Sequence, residues 1–249
     1  MSHQIPATAK TPALIIYLLD VSGSMDEMLD GERRIDHVNK ALNGVLTQMV
    51  FRSTKGVVVS PRYRIALIAY SDAPIDLLGG VHGVDVIAQR GSPTLKPLRL
   101  TDTYAAFVKA RDLLRQELPA MQGCPAPLVC HMTDGQYSGH DPEPVAQEIM
   151  AMQNNDGNVL LQNIYVGSGL TRDPIGDPTQ WRGLSHESET ANAYAARLFR
   201  MSSALPESYA SMMADEGYSV EAGSRMLYPA ESGQLVQLAF SVSGATMTT

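Results

Sequence analysis

The stretch LIIYLLDVSGSM, residues 14–25, carries the pattern that decides the fold. Six apolar residues run without polar alternation into Asp20, as is typical of a central strand that is buried on both faces of a sheet. Hydroxyl side chains follow the aspartate at alternate positions, Ser22 and Ser24, with Gly23 between them. A strand that ends on a carboxylate and two serines predicts a polar site at its end.

Strand and helix patterns alternate along the chain after this stretch. Short apolar runs predict three further strands, at 63–70, 127–132 and 159–167. An apolar stripe from Ile35 to Met49 recurs at helical spacing and predicts a long helix between the first two strands. This alternation predicts an α/β fold with a doubly wound, mostly parallel central sheet flanked by helices. Such sheets bind ligands beyond the carboxyl ends of their strands, where the strand order reverses.

The chain has no internal repeat, low-complexity segment or Pro/Gly/Ser-rich linker that would divide it, and its 249 residues suit one large α/β domain. The alternating pattern weakens towards the C-terminus, where GSRMLYPA (223–230) predicts a last strand and SGQLVQLAFSV (232–242) a last helix. We therefore expect a single domain over residues 1–249. Its core would span about 12–170, with a C-terminal extension of helices and a strand over about 185–249.

The composition is that of an ordinary globular protein, with 44% apolar and 18% charged residues. A net charge of −7 argues against a general nucleic-acid binder and against binding to an anionic membrane surface. Two cysteines are too few for a disulfide scaffold, and no apolar segment has the length of a membrane span. The N-terminal residues lack the apolar region of a secretory signal, so we expect a cytoplasmic protein.

Three groups of polar side chains would meet at the carboxyl edge of the predicted sheet. One is the Asp-x-Ser-x-Ser group after the first strand, one is LTDT (100–103) before a predicted helix, and one is TDG (133–135) after a later strand. Carboxylate and hydroxyl oxygens form a hard-oxygen site of low total charge, which suits an octahedral cation such as Mg²⁺ or Mn²⁺. The histidines and cysteines do not occur in the clusters that zinc sites use.

Taken together, DVSGSM (20–25), LTDTYAAF (100–107) and TDG (133–135) resemble the von Willebrand factor type A (vWA) domain and its metal ion-dependent adhesion site, the MIDAS. The family pattern is Asp-x-Ser-x-Ser, then a threonine at the start of a later helix, then an aspartate that ends the following strand. All three parts are present here in the family's order. The resemblance covers about residues 12–170 and implies a Rossmann-like vWA fold.

The metal ligands that this resemblance implies all carry an oxygen on their side chain: Asp20, Ser22, Ser24, Thr101 and Asp134. Thr101 is chosen over Thr103 because the family's threonine is the first of a T-x-T pair. The implied cation is Mg²⁺ or Mn²⁺ in preference to Ca²⁺. In this family a Glu or Asp from a bound protein commonly completes the metal shell. The resemblance therefore implies a metal-dependent protein–protein interaction module.

The motif DVSGSM also resembles that of bacterial members of the family that act inside the cell. These members look like accessory proteins of ATPase motors, kinases or phosphatases, or like components of tellurite-resistance-type stress systems. The resemblance thus implies an intracellular adaptor or regulator. Its partner would be a protein with an acidic residue, such as an ATPase, kinase or phosphatase, and neither a nucleic acid nor a membrane.

Two other interpretations of the same residues stay open. A divalent cation with an open position can activate water, so the site could belong to a metal-dependent hydrolase or phosphatase. The sequence contains no GxSxG, GxxxxGK[ST] or HExxH motif. His131 lies inside a predicted strand and has the setting of a core histidine. We therefore predict no enzyme activity. Alternatively, Asp20 to Ser24 form a turn whose side chains bond backbone amides, and the sheet is a scaffold alone.

Overall fold

A seven-stranded sheet forms the centre of the computed structural model, in which the described residues are 3–172, 175, 177–215 and 217–244. The strands are β1 (Ala13–Asp20), β2 (Met28–Leu29), β3 (Glu32–Arg33), β4 (Thr54–Lys55), β5 (Val58–Val59), β6 (Tyr63–Tyr70), β7 (Pro74–Asp76), β8 (His82–Gly83), β9 (Leu128–Thr133), β10 (Leu160–Val166) and β11 (Leu227–Ala230). The α-helices are α1 (Arg34–Ser53), α2 (Asp85–Arg90), α3 (Thr103–Glu117), α4 (Glu143–Ala151), α5 (Ala193–Arg200), α6 (Glu207–Asp215) and α7 (Gly233–Gly244).

The order of strands in the sheet is β11-β10-β9-β1-β6-β7, and β8 also pairs with β6. Strand β1 lies between β6 and β9 and is parallel to both, whereas the short strands β7 and β8 are antiparallel to β6. The chain passes from β1 to β6 on one side and later returns to β9 on the other. The strand order therefore reverses between β1 and β9, which confirms the predicted doubly wound, mostly parallel α/β fold.

Alternate residues of β1 point to opposite faces of the sheet, and both faces are covered. Ile15, Tyr17 and Leu19 share a buried cluster with apolar residues of α1 and α7. Leu14, Ile16 and Leu18 belong to a second buried cluster with apolar residues of α3 and α4. Every residue of β1 is buried, which explains why its sequence is apolar without alternation.

The C-terminal segment is an integral part of this sheet. Strand β11 pairs in parallel with β10, and Leu227 lies opposite Asn163. Helix α7 packs with α1 on one face, and the Tyr17 hydroxyl lies 2.8 Å from the Ser243 hydroxyl. The predicted last strand and last helix are thus confirmed. The sequence pattern missed the hairpins β2–β3 and β4–β5 and the helix α2, since they are too short to show a period.

Candidate metal centre

Asp20 is the last residue of β1 and is fully buried at the carboxyl edge of the sheet. One of its carboxylate oxygens, Oδ1, accepts a hydrogen bond of 2.8 Å from the backbone N–H of Ser22. The other oxygen, Oδ2, accepts the hydroxyl of Thr133, the last residue of β9, also at 2.8 Å. The carboxylate therefore joins the loop after β1 to the end of the neighbouring strand, at the point where the strand order reverses.

The two predicted serine ligands lie next to each other in this loop. Ser22 is buried and Ser24 is half-buried, and their hydroxyl oxygens are 3.0 Å apart. The loop is crossed by the segment that precedes α3, because the Gly23 N–H donates to the carbonyl of Arg99 at 3.3 Å. A Cβ at Gly23 would lie 3.4 Å from the carbonyls of Leu98 and Arg99, an ordinary van der Waals contact, so the crossing itself does not require glycine.

Asp134 follows β9 directly and is 6% exposed. Its Oδ1 accepts the backbone N–H of Gln136 at 3.2 Å, whereas its buried Oδ2 accepts no hydrogen bond from the residues that the structure describes. The guanidinium of Arg34 lies 3.5 Å from this Oδ2. Gly135 has a φ of +86°, and a Cβ there would lie 2.9 Å from the Tyr165 ring, so the turn requires glycine.

Thr101 lies on the loop that leads into α3. Its carbonyl accepts both the backbone N–H and the hydroxyl of Ser138, at 2.9 and 2.8 Å. The next residue, Asp102, bonds the carbonyl of Ser71 through its N–H and caps α3 through its side chain, which accepts the N–H of Ala105 at 2.9 Å. The loop is thus fixed across the ends of β6 and β9, which brings Thr101 to the same edge as the other predicted ligands.

Two threonine hydroxyls lie beside this loop. The Thr101 hydroxyl is half-buried and makes no hydrogen bond with the described residues. Thr103 is buried beside Tyr70, and its Oγ1 interacts with the Tyr70 hydroxyl, although no hydrogen bond of regular geometry joins them. The oxygen of Thr101 is therefore the more available of the two at this edge.

The burial of two neighbouring carboxylates makes their ionised forms unfavourable. Burial raises the pKa of Asp20 to about 6, and the negative charge of Asp134 adds to this effect. The hydrogen bonds from Ser22 and Thr133 act in the opposite direction, since they favour the ionised form. A positive charge placed between the carboxylates would stabilise both of them in the ionised state.

The residues present fit a divalent cation. No group of three or more His, Cys, Asp or Glu side chains forms a metal-binding cluster within the described ranges, so an ion here would need hydroxyl ligands. The site supplies them, since the adjacent Ser22 and Ser24 hydroxyls accompany two carboxylates. The buried Asp134 Oδ2, which accepts no hydrogen bond within the described part of the chain, is the atom that a cation would contact. This all-oxygen donor set is the kind that Mg²⁺ and Mn²⁺ prefer.

A buried polar chain runs beneath the site. Asn163 donates through Nδ2 to the carbonyl of Met201 at 2.9 Å, so its Oδ1 is the acceptor for His131 Nδ1–H at 2.7 Å. His131 Nε2 then accepts the Tyr70 hydroxyl at 2.7 Å. Burial lowers the pKa of His131 to about 4, so the ring is neutral and both of its nitrogens are used. His131 is a core histidine, as the sequence predicts.

Sequence reasoning placed Thr133 at this edge without a role and missed Arg34. Thr133 stands beside the predicted ligand Asp134, and its contact with Asp20 follows from the pairing of β1 and β9, which no local pattern reveals. Arg34 is 100 residues from Asp134 in the chain and reaches it only through the packing of α1. The one signal for Arg34 in the sequence is an arginine at the start of a predicted helix, where a cation is unfavourable.

Comparisons with known proteins support the fold. No family model matches the sequence, and a search of curated proteins finds no match. The PilB minor pilin from Streptococcus sanguinis is similar at a TM-score of 0.55 and 12% identity, over 95% of this chain and 63% of that one. Proximal thread matrix protein 1 from the mussel byssus is similar at a TM-score of 0.52 and 15% identity, over 96% of this chain and 47% of that one.

A third solved structure, the vWF domain of the type V pili tip protein Mfa5 from Porphyromonas gingivalis, matches 51% of this chain and 39% of that one at 20% identity. Its TM-score of 0.40 is too low to add to the argument. The chain spans about half to two thirds of the two more similar structures. At such low identities these similarities show the fold alone. Separately, no helix in the described part of the chain is long and apolar enough to cross a membrane.

Proposed function

We propose that this protein is a metal-dependent protein-binding module of the vWA type. It would hold a divalent cation at the carboxyl edge of its sheet, with ligands from Asp20, Ser22, Ser24, Thr101 and Asp134. The observation that carries the proposal is the buried Asp134 Oδ2, which accepts no hydrogen bond from the described residues, in a site that also holds a second carboxylate and two adjacent hydroxyls. The Arg34 guanidinium, 3.5 Å away, is the charge that faces this oxygen in the described part of the chain. Mg²⁺ or Mn²⁺ suits these oxygens better than Ca²⁺, which takes more ligands at longer distances.

The roles of the residues differ within this site. Asp20 and Asp134 would supply the two negative charges, and the Thr133 hydroxyl and Ser22 N–H hold the Asp20 carboxylate in place. Ser22, Ser24 and Thr101 would contribute neutral oxygens. Because these hydroxyls carry no charge, the protein ligands add no negative charge beyond that of the two carboxylates. The bound ion can therefore still attract one further carboxylate at an open coordination position. That contact, with a Glu or Asp of the partner, would be charge-assisted and would depend on the metal.

Exposed apolar side chains around the site support a protein partner. Leu98 and Leu100 are 45% and 58% exposed on the segment that crosses Gly23. Tyr194 is 44% exposed on the other side, where it stands next to Gly135. An acidic residue flanked by apolar residues would complement this surface, whereas a small anion would leave its apolar rim uncovered.

The setting that we propose is intracellular, with the protein acting as a cytoplasmic adaptor or regulator. Both cysteines, Cys124 and Cys130, are buried and free, which is compatible with a reducing compartment. The partner would be a protein such as an ATPase, kinase or phosphatase. An enzymatic role has no supporting observation, since His131 is neutral and both of its ring nitrogens are already bonded.

Calorimetric titration of Mg²⁺ and Mn²⁺ into chelator-treated protein tests this proposal. Wild type should bind one ion, and Ser24→Ala should weaken binding because it removes a ligand oxygen. Ser138→Ala is the matched control, since this serine bonds the Thr101 carbonyl at the same edge without being a predicted ligand. Loss of binding in both variants, or in neither, would contradict the ligand assignment. A turnover assay with phosphoesters and peptides tests the hydrolase alternative in the same samples.

A further inference from the structure

Arg34 places a positive charge inside the proposed metal centre. It is the first residue of α1, and its side chain is 16% exposed. One terminal nitrogen, Nη1, lies 2.9 Å from Glu27 Oε2, 3.2 Å from the Ser24 carbonyl and 3.5 Å from Asp134 Oδ2. Within the described residues, Arg34 is the cation that forms an ion pair with Asp134. The guanidinium therefore contacts the loop that holds the serines and the second carboxylate at once.

This position is unfavourable for an arginine on its own. The N-terminus of a helix carries a partial positive charge, so a cation in the first turn is destabilising. The Nε of Arg34 is also buried and makes no hydrogen bond among the described residues. The helix N-terminus and the burial of Nε thus both destabilise the charged Arg34 side chain. The nearby acids Glu27 and Asp134 offset this destabilisation.

The chain leaves space for the guanidinium at the end of a neighbouring strand. Gly167 follows β10 and is buried, with a φ of +127° that favours glycine. A Cβ at this position would lie 3.1 Å from Arg34 Nη2. The guanidinium thus occupies a cradle formed by the loop after β1, the turn after β9 and the glycine after β10. An exposed arginine without a role would not need such a cradle.

We infer that Arg34 is the tethered counter-charge of the metal centre, which offsets the charge of Asp134 when no ion is bound and lowers the affinity of the loaded site. This inference rests on the proposed metal-binding function. A divalent ion and the guanidinium would both lie near Asp134, and at this depth solvent screens their repulsion weakly. Arg34 would then set the cation concentration at which the protein becomes competent to bind its partner.

Titration of Mg²⁺ into Arg34→Met and wild type tests the effect on affinity. We expect Arg34→Met to bind Mg²⁺ about tenfold more tightly, because a nearby repulsive charge is removed. Arg33→Met is the matched control, since its side chain is 48% exposed and pairs with Asp26 and Asp36 outside the site. It should change the affinity less than about twofold. Metal binding to wild type with no tighter binding to Arg34→Met would overturn the inference and leave the proposed function intact.

A double-mutant cycle in chelator tests the counter-charge without any metal. Arg34→Met and Asp134→Asn should each lower the urea midpoint, and the double variant should lower it by less than the sum, because each single change leaves one charge unpaired. Arg34→Gln serves in the same cycle if Arg34→Met does not fold. Additive effects would overturn the inference. Coupling in the cycle with no metal binding to any variant would instead contradict the proposed function and keep Arg34 as the counter-charge of Asp134.

Discussion

Buried carboxylates lie at both edges of the sheet, but they differ in the hydrogen bonds that their oxygens accept. At the amino edge, Asp156 is 5% exposed and accepts backbone N–H groups from Gln4, Ile5 and Ala126 at 2.8 to 3.0 Å. Both of its oxygens are satisfied, and every donor is backbone. At the carboxyl edge, Asp134 is as deeply buried, yet its Oδ2 accepts no hydrogen bond from any described residue.

This difference separates a structural carboxylate from a candidate ligand. Asp156 fixes the N-terminal segment to the start of β9, and Asn154 beside it donates to the carbonyls of Met121 and Cys124. Such a cluster is complete without any further atom. At the carboxyl edge, the Asp134 Oδ2 makes no hydrogen bond with the described residues, and the Arg34 guanidinium at 3.5 Å is its counter-charge. It is therefore less well satisfied than the oxygens of Asp156. Burial alone does not separate the two carboxylates, whereas the hydrogen bonds to their oxygens do.

Removing Asp20 should give the largest effect at the carboxyl edge. We expect Asp20→Ala to weaken Mg²⁺ binding by at least about 100-fold, since even outer-shell partners of metal ligands contribute about 10- to 100-fold. The free energy of unfolding in chelator should fall by less than for Asp156→Ala, because the Ser22 N–H and the Thr133 hydroxyl lose their acceptor but an unfavourably buried carboxylate is also removed. Calorimetry and urea denaturation measure the two quantities. A large loss of stability in Asp20→Ala together with unchanged Mg²⁺ affinity would contradict this distinction between the two edges.

Removing Asp156 should have the opposite pattern. Asp156→Ala leaves three backbone N–H groups without their acceptor, so the free energy of unfolding should fall by about 3 kcal/mol. Affinity for Mg²⁺ should stay within about twofold of wild type, since the two sites lie at opposite edges of the sheet. Urea denaturation measures the loss, and the same calorimetric titration is its control. Reduced metal affinity in a folded Asp156→Ala would show that the two edges are coupled.

The pH dependence of stability sharpens the comparison further. Burial raises the pKa of Asp20 from 3.8 to about 6, so the folded state holds this proton more tightly than the unfolded state. The stability linked to this proton is complete below about pH 4 and is lost as the pH rises through about 6. Relative to Asp20→Asn, the metal-free protein should lose about 2 kcal/mol between about pH 4 and pH 7.5. Urea denaturation in chelator at several pH values measures it, and a constant difference would contradict the pKa shift.

The sequence predicts the fold well because its signals are local and strong. Strand β1 is buried on both faces, and its unbroken apolar run reports this directly. The Asp20, Ser22 and Ser24 group is also local, since the three residues lie within one loop. The hairpin β2–β3 escapes prediction because its strands have two residues each, too few to show alternation.

The groups that contact the carboxylates at both edges are distant in sequence, so the sequence does not predict them. The sequence places Asp134 after one predicted strand and Asp156 before the next, but it does not reveal which groups bond to either carboxylate. The difference lies in what tertiary packing brings to them: backbone amides from residues 4, 5 and 126 in one case and the Arg34 side chain in the other. The sequence therefore predicts the candidate ligands as a group, whereas the charges that surround them require the structure.

The smallest effect that we expect concerns the threonine ligand. The Thr101 hydroxyl has no hydrogen bond among the described residues, whereas Thr103 is enclosed at the start of α3 and interacts with the Tyr70 hydroxyl. The half-buried Thr101 hydroxyl is the more accessible of the two, so Thr101→Val should weaken Mg²⁺ binding by about tenfold, the loss of one neutral ligand oxygen. Thr103→Val should weaken it less than about threefold. A larger effect of Thr103→Val would assign the ligand to the buried threonine and would mean that the start of α3 moves when the ion binds.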